Sequence, residues 1–421
     1  MRIAFISYEY PPETAFGGIA TYVQQAARLL QGRGHQVEVF AGCTTRSRVE
    51  EDQGVLVHLV QLPQAERHLF GRDIATVIAE RHRTEPFDVL EGPEFAAEAK
   101  EAVALCPDIP LVVKLHMGMF SIQQIEAATL GVFRKLRRRL GAIRRGERPF
   151  WHREHPGHIE EWRHTLNADA IIAPSEAMGD WMQKAWDLPA DRIGMVPNPY
   201  LPRKELLQIP ISSSHKVVTF LGRLELRKGI LDLIEAAPAF LTRCPDWRIR
   251  VVGRPQGSPV PSMDMREYLL DKLKGFRERV VAEDPVPLNA IPEILANSDI
   301  CVFPSVWENF PNVCLEAMSA GRGIVASAAG GMSEQLDGGR CGILVPPRNP
   351  SRLAKALIHL AENPAMREKL GAAARDRVMT AYNGEVVGPM LEAGYERAIK
   401  AYARRKSSLA GQSDYCAASI R

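Results

Sequence analysis

Glu308 and Glu316 stand eight positions apart in the run Phe303-Pro304-Ser305-Val306-Trp307-Glu308-Asn309-Phe310-Pro311-Asn312-Val313-Cys314-Leu315-Glu316. A carboxylate accepts two hydrogen bonds from a sugar diol. The apolar residues Ile300–Phe303 read as a buried strand, and a helix is expected to begin near Asn312. One segment thus holds Glu308 in a loop above a helix N-terminus and Glu316 along the helix side. The first amides of a helix are unpaired and its dipole is positive there, so this end attracts phosphate. The layout suits a ligand with phosphates in its middle and a sugar at each end.

A second set of residues could meet the charge on such phosphates. Phe220-Leu221-Gly222-Arg223-Leu224-Glu225-Leu226-Arg227-Lys228-Gly229 follows an expected strand at Val217–Leu221. Arg223 and Lys228 are two cations that can stabilise a departing diphosphate without a metal; Arg227 is expected to be solvated. Near the N-terminus, Gly17 and Gly18 open a helix after the first strand, where paired glycines let backbone approach phosphate or sugar closely. No Gly-x-Gly-x-x-Gly follows that strand, which argues against a dehydrogenase. His116 ends the strand Leu111–Leu115, at the edge where ligands of such sheets bind. Glu91 and Glu94 occupy another strand-end loop, suited either to acceptor hydroxyls or to helix capping.

These loops need strands and helices to hold them. The first half alternates short apolar strands (Ile3–Ser7, Val37–Phe40, Val55–Leu59, Asp88–Leu90, Leu111–Leu115, Ala170–Ala173) with helices at Ile19–Gln31 and Ile74–Arg83, and predicts a parallel sheet covered on both faces. A Pro- and Ser-rich stretch near 197–215 reads as a linker. The alternation then restarts: strands at Trp247–Val252, Ile300–Phe303, Gly323–Ala326 and Gly342–Val345, and helices at Ile230–Leu241, Ile291–Ala296, Val313–Ala320 and Ser351–Glu362. At 421 residues the chain suits two domains. The expected fold class is α/β, two doubly wound Rossmann-like domains facing across a cleft.

Composition excludes several classes. The net charge of +3 gives no electrostatic case for nucleic-acid binding. The 7 cysteines show no zinc-ligand spacing and suggest a reducing compartment. His152, His155, His158 and His164 have no supporting carboxylate or Cys spacing, so no metal site is expected. The N-terminus lacks signal-peptide character, and no run of about 18 apolar residues exists, so a cytoplasmic protein is expected. The basic stretch 133–151, with Arg134, Lys135, Arg137, Arg138 and Arg139 among apolar residues, reads as a solvated rim helix; the alternative is contact with anionic lipid at the inner face of the membrane or with an anionic acceptor.

The chain resembles the family-4 glycosyltransferases of GT-B fold from Pro11 to about Leu357. Their Glu-x7-Glu motif is matched by Glu308 and Glu316 within Pro-Ser-x2-Glu…Leu-Glu-Ala-Met-x-Ala-Gly, and their Gly-Arg-Leu…Lys-Gly loop by residues 222–229. The resemblance implies that Glu316 accepts from the ribose hydroxyls of a nucleotide and Glu308 from a hydroxyl of the donor sugar. The amides of Asn312 and Val313 would meet the diphosphate, with Arg223 and Lys228 neutralising it. Gly18 and Gly17 would face the donor phosphate or the acceptor, and His116 would hydrogen-bond the donor sugar. The usual Glu-Gly-Phe-Gly is replaced by Glu308-Asn309-Phe310-Pro311, which puts the choice of sugar in doubt but not the nucleotide site. Residues 1–197 would form the acceptor-side domain and 198–383 the nucleotide-sugar domain. Residues 384–405 would be a helix packing back on the first domain, and 406–421 a disordered tail. The implied activity is retaining transfer of a hexose from a UDP- or GDP-linked donor to a hydroxyl of a glycan or lipid-linked acceptor, in polysaccharide or cell-surface glycan synthesis. It needs no cofactor beyond the nucleotide sugar. The rivals are a sugar-nucleotide epimerase and a non-catalytic nucleotide-sugar binder of the same fold.

Overall fold

A computed structural model describes residues 1–14, 17–129 and 156–418. The basic stretch 133–151, His152 and His155 lie outside the described residues, as do Ala15 and Phe16 of the first loop. The chain forms two compact units. The first takes in Met1–Ser121, the described residues 156–199 and the C-terminal helix from Gly384; the second takes in residues 122–129 and Tyr200–Asn383.

Among the described residues, the first unit carries an eight-stranded sheet in the order β3-β4-β2-β1-β5-β6-β7-β8. Its strands are β1 (Arg2–Ser7), β2 (Gln36–Cys43), β3 (Arg48–Asp52), β4 (Val55–Gln61), β5 (Val89–Pro93), β6 (Leu111–Lys114), β7 (Ala170–Ala173) and β8 (Ile193–Met195). β1 is buried on both faces and pairs in parallel with β2 (Ile3 opposite Val37) and β5 (Ile3 opposite Val89). Strand order reverses there, because β1 feeds β2 on one side while β5 starts the other half. The all-parallel expectation fails at one edge, where β3 pairs antiparallel with β4 through a short hairpin. Its sequence Arg-Val-Glu-Glu-Asp is charged and half exposed, so no apolar alternation announces it, and its charges protect the sheet edge.

The second sheet has, among the described residues, six parallel strands in the order β11-β10-β9-β12-β13-β14. They are β9 (Val217–Leu221), β10 (Arg248–Val252), β11 (Val280–Glu283), β12 (Ile300–Phe303), β13 (Gly323–Ser327) and β14 (Ile343–Val345). The order reverses between β9 and β12, the two strands whose C-terminal loops carry Arg223–Lys228 and Pro304–Asn309. In open α/β sheets ligands bind at the strand carboxyl ends beside such a reversal.

The last helix, Gly384–Ala418, belongs to the first unit. It buries Val387, Leu391, Tyr395 and Ala398, one stripe at helical spacing, in the same core as Ile3, Val89 and Ile172. The helix extends beyond residue 405, where the sequence suggested a disordered tail. No proline interrupts residues 406–418, and alanine, leucine and lysine there favour continuation.

Candidate functional site

In the second unit the Glu308 loop is fixed by two close backbone approaches. Gly229 has φ +71° and lies so near the Pro304 carbonyl that a Cβ would come within 1.9 Å of its oxygen. Gly330 has φ +63°, and a Cβ there would come within 2.0 Å of the Glu308 carbonyl oxygen. Only glycine satisfies both the left-handed backbone and the contact. The amides of Val306 and Gly331 donate to the Arg227 and Glu308 carbonyls, so the loop after β12 is tied to the loops after β9 and β13.

That frame places Lys228 Nζ 2.5 Å from Glu308 Oε1, while Ser305 Oγ donates to the same oxygen at 2.9 Å. Arg227 Nη1 stands 3.6 Å from it and pairs with Glu225 at 2.7 Å. Burial opposes the Glu308 charge, but Lys228 and Arg227 outweigh it and hold the carboxyl below its usual range. Burial also draws the Lys228 ammonium below its usual value, with Glu308 opposing. Arg227 was expected to be solvated. It is buried and ion-paired, whereas the Arg223 side chain is 51% exposed and reaches Glu225 at 3.4 Å. A basic run cannot announce which of its members the turn at Leu226–Lys228 rotates inward.

The helix Asn312–Ser319 starts just beyond this cluster, with Pro311 at its N-cap rather than inside its first turn. A small cleft is lined by Leu221, Lys228, Ser305, Glu308, Pro311 and Val313, which brings Val313 and the helix start beside the ion pair. Asn309 is buried. Phe310 turns its ring into the core, edge-on to Tyr382 at 5.1 Å, so its side chain supports the loop instead of facing a ligand. One turn along the helix, burial pushes the Glu316 carboxyl up to about 7, with Arg203 opposing at 3.6 Å. Arg203 comes from the segment that enters the second unit, far in sequence from any motif.

In the first unit the candidate residues gather at the carboxyl ends of β1, β5 and β6. His116 is buried, its ring edge-on to Tyr22 at 5.0 Å, and burial with Lys114 nearby depresses its pKa to about 3. It is neutral at physiological pH and able to hydrogen-bond but not to act as a cation. Its amide donates to Glu94 Oε2 at 2.7 Å, while Glu94 Oε1 is buried without a hydrogen-bond partner. Burial, reinforced by Glu161, raises the Glu94 carboxyl to about 8 against its backbone hydrogen bonds. Glu161, which no motif marks, accepts from the amides of Ala96 (3.0 Å), Met119 (2.9 Å) and Phe120 (3.2 Å). It caps the start of the helix Met119–Thr129 and holds the turn after His116. Glu91 is committed inside the unit, accepting from Tyr22 at 2.7 Å and Tyr395 at 2.8 Å. Gly17 caps the helix Gly18–Gly32 in extended conformation, and a Cβ on it would stand 3.3 Å from Glu9 Oε2. The two glycines thus sit at a helix start, where their value is close approach rather than an unusual φ. Among the described residues, no group of three or more His, Cys, Asp or Glu side chains could hold a metal ion, and no helix is long and apolar enough to cross a membrane.

Two family models match the chain: Glycosyltransferase Family 4 over residues 16–200 and Glycosyl transferases group 1 over residues 215–363. An uncharacterized glycosyltransferase of Methanocaldococcus jannaschii is 26% identical over 404 residues, covering 91% of this chain and 95% of the relative. Sucrose-phosphate synthase of Thermosynechococcus elongatus superposes with a TM-score of 0.72 at 20% identity, covering 95% of this chain and 99% of that one. Anabaena HepE, solved in complex with UDP-glucose, gives a TM-score of 0.66 at 17% identity over 93% of this chain and 99% of that one. With two doubly wound sheets and loops of the expected sequence at their reversals, the chain belongs to the family-4 glycosyltransferases and has their GT-B fold.

Proposed function

We propose that this enzyme transfers a hexose, with retention at the anomeric carbon, from a UDP- or GDP-linked donor to a hydroxyl of a glycan or lipid-linked acceptor. The observation that carries the reading is the order of groups around the second unit's strand reversal: Glu308 with Lys228, then the start of the helix Asn312–Ser319, then Glu316 one turn along it. A nucleotide sugar needs that sequence of partners, with sugar, diphosphate and ribose in turn. HepE, of the same fold, was solved with UDP-glucose, and this supports a donor of that class.

In this reading the donor diphosphate replaces Glu308 as the partner of Lys228. The amides of Asn312 and Val313 and the Arg223 guanidinium share its charge, so no metal is required. Glu308, released from the lysine, accepts from a donor-sugar hydroxyl. As the sugar–phosphate bond breaks, the electron pair goes to the phosphate oxygen, which takes the proton of the attacking acceptor hydroxyl on the same face. Neutral His116 can donate or accept one hydrogen bond with a sugar hydroxyl but cannot serve as an acid. Asn309, where relatives carry glycine, narrows the sugar end. Synthesis of polysaccharide or surface glycan on the cytoplasmic side suits such a donor.

A panel of UDP-, GDP- and ADP-hexoses, read by nucleotide release with and without sugar acceptors, tests the proposal. One donor turned over with retained configuration by NMR is expected. Inversion, or epimerised donor without transfer, would refute it.

A further inference from the structure

Arg203 lies outside every motif, yet its guanidinium stands between two places where a nucleoside would bind. Nη1 donates to the carbonyl oxygen of Leu288, at the start of the short turn Leu288–Ala290 that follows β11. Nη2 points to Glu316 Oε1 at 3.6 Å, too long for a hydrogen bond. That nitrogen is buried and has no hydrogen-bond partner. A buried donor without an acceptor costs free energy unless something fills the gap. The other groups around Glu316 offer no substitute. Tyr200 is buried beside it as a neutral phenol bonded to Ser319, and Arg375, from the helix Pro364–Ala381, is spent on the carbonyls of Ser319 and Ile209.

We infer that Arg203 is a second ribose-recognising group, which together with Glu316 reads a vicinal diol. One hydroxyl donates to the Glu316 carboxylate, and its neighbour accepts from Arg203 Nη2. The Leu288 carbonyl fixes the guanidinium so that Nη2 keeps this direction. A carboxylate alone accepts from any hydroxyl, whereas the carboxylate–guanidinium pair needs one oxygen that donates and an adjacent one that accepts. The arrangement therefore selects ribonucleotides over their 2′- or 3′-deoxy counterparts. Arg203 also opposes the burial that favours the protonated, non-accepting form of Glu316. The inference rests on the proposed nucleotide site.

Calorimetric titration of the full-length protein with UDP, GDP and ADP, and with the 2′-deoxy and 3′-deoxy forms of whichever binds, tests it. Arg203→Gln is expected to weaken the ribonucleotide about ten-fold while leaving nearly unchanged whichever deoxy form lacks the hydroxyl that Arg203 bonds, so that the ratio of ribo to that deoxy form shrinks. Arg203→Lys keeps a charge but loses the fork, and is expected to shrink the ratio as well; it serves if the Gln variant does not fold. If the parent binds a diphosphate and both variants keep its ribo-to-deoxy ratio, Arg203 has no such role and the nucleotide site stands. If the parent binds none of the diphosphates, the nucleotide site itself is wrong and this inference falls with it.

Discussion

The two units place titratable groups at the carboxyl ends of their strands in opposite ways. In the second, Glu308 is buried yet anionic, because Lys228, Arg227 and Ser305 converge on it. In the first, Glu94 and His116 are just as buried, but there burial outweighs the charges around them. Burial makes the acid neutral up to about 8 and the imidazole neutral down to about 3. The same desolvation therefore gives an ion cluster in one place and an uncharged hydrogen-bonding surface in the other. An ion cluster can exchange an internal counter-ion for an anionic ligand. A neutral surface suits hydroxyls, which it can bind without paying to move charge.

The sharpest way to break this contrast is to unbalance the ion cluster. Lys228→Ala should lower turnover at least about a hundred-fold and destabilise the fold by about 3 kcal/mol, since Glu308 keeps only the Ser305 hydroxyl and the more distant Arg227. Lys228→Ala with Glu308→Ala should recover much of the stability and none of the activity. Denaturant unfolding of the three proteins, beside nucleotide release, reads both; equal stability of the single and double variants would mean that the pair is not coupled.

Glu94 probes the neutral side. Its folded pKa of about 8 lies above the usual 4.5, so the unfolded chain ionises first. The resulting loss of stability begins as pH rises through 4.5 and is complete above 8. Glu94→Gln, which keeps an acceptor for the His116 amide, should gain on the parent by about 3 kcal/mol between pH 5 and pH 8.5. A gap between the two proteins that is constant across that range would show that Glu94 is charged in the fold. Glu161→Ala, by contrast, strips the partner from three amides and should cost about 2 kcal/mol at neutral pH. If Glu161 positions His116, kcat should fall with the donor KM nearly fixed, and the melting temperature and kinetics of this variant together check it. The smallest effect is expected at the sugar end. Asn309→Gly should leave nucleotide affinity unchanged and shift the preference among donor hexoses by about a few-fold, measured as ratios of kcat/KM.

The parts legible in the sequence share a physical reason. Fully buried parallel strands are apolar throughout, so β1, β6, β9 and β12 stand out, and loops that follow them belong at the binding edge. The positions of Glu308, Lys228 and His116 in loops at strand carboxyl ends follow from this. Arg203, Glu161 and Tyr395 were not, because each acts on a segment distant in the chain: Arg203 on Leu288 and Glu316, Glu161 on Ala96 and Met119, Tyr395 on Glu91. Periodicity carries no record of such pairings. Arg227 failed for a related reason, since residue type alone does not say which arginine of a basic turn is drawn in against a carboxylate. The edge strand β3 was missed because its partner supplies the order that its own charged residues do not.

The first unit is discontinuous: for its longest excursion the chain leaves it at Pro199 and returns at Gly384. At the second unit's own ends, the Tyr200 amide donates to the Tyr382 carbonyl at 2.8 Å. Its entry and exit are therefore clasped together, as in a domain insertion, and the segment between them is a cassette. Replacing residues 200–383 with the corresponding stretch of a relative needs only two junctions, both beside one hydrogen bond. Whatever binding preference the cassette carries could then be exchanged by recombination while the first unit and its long C-terminal helix stay untouched.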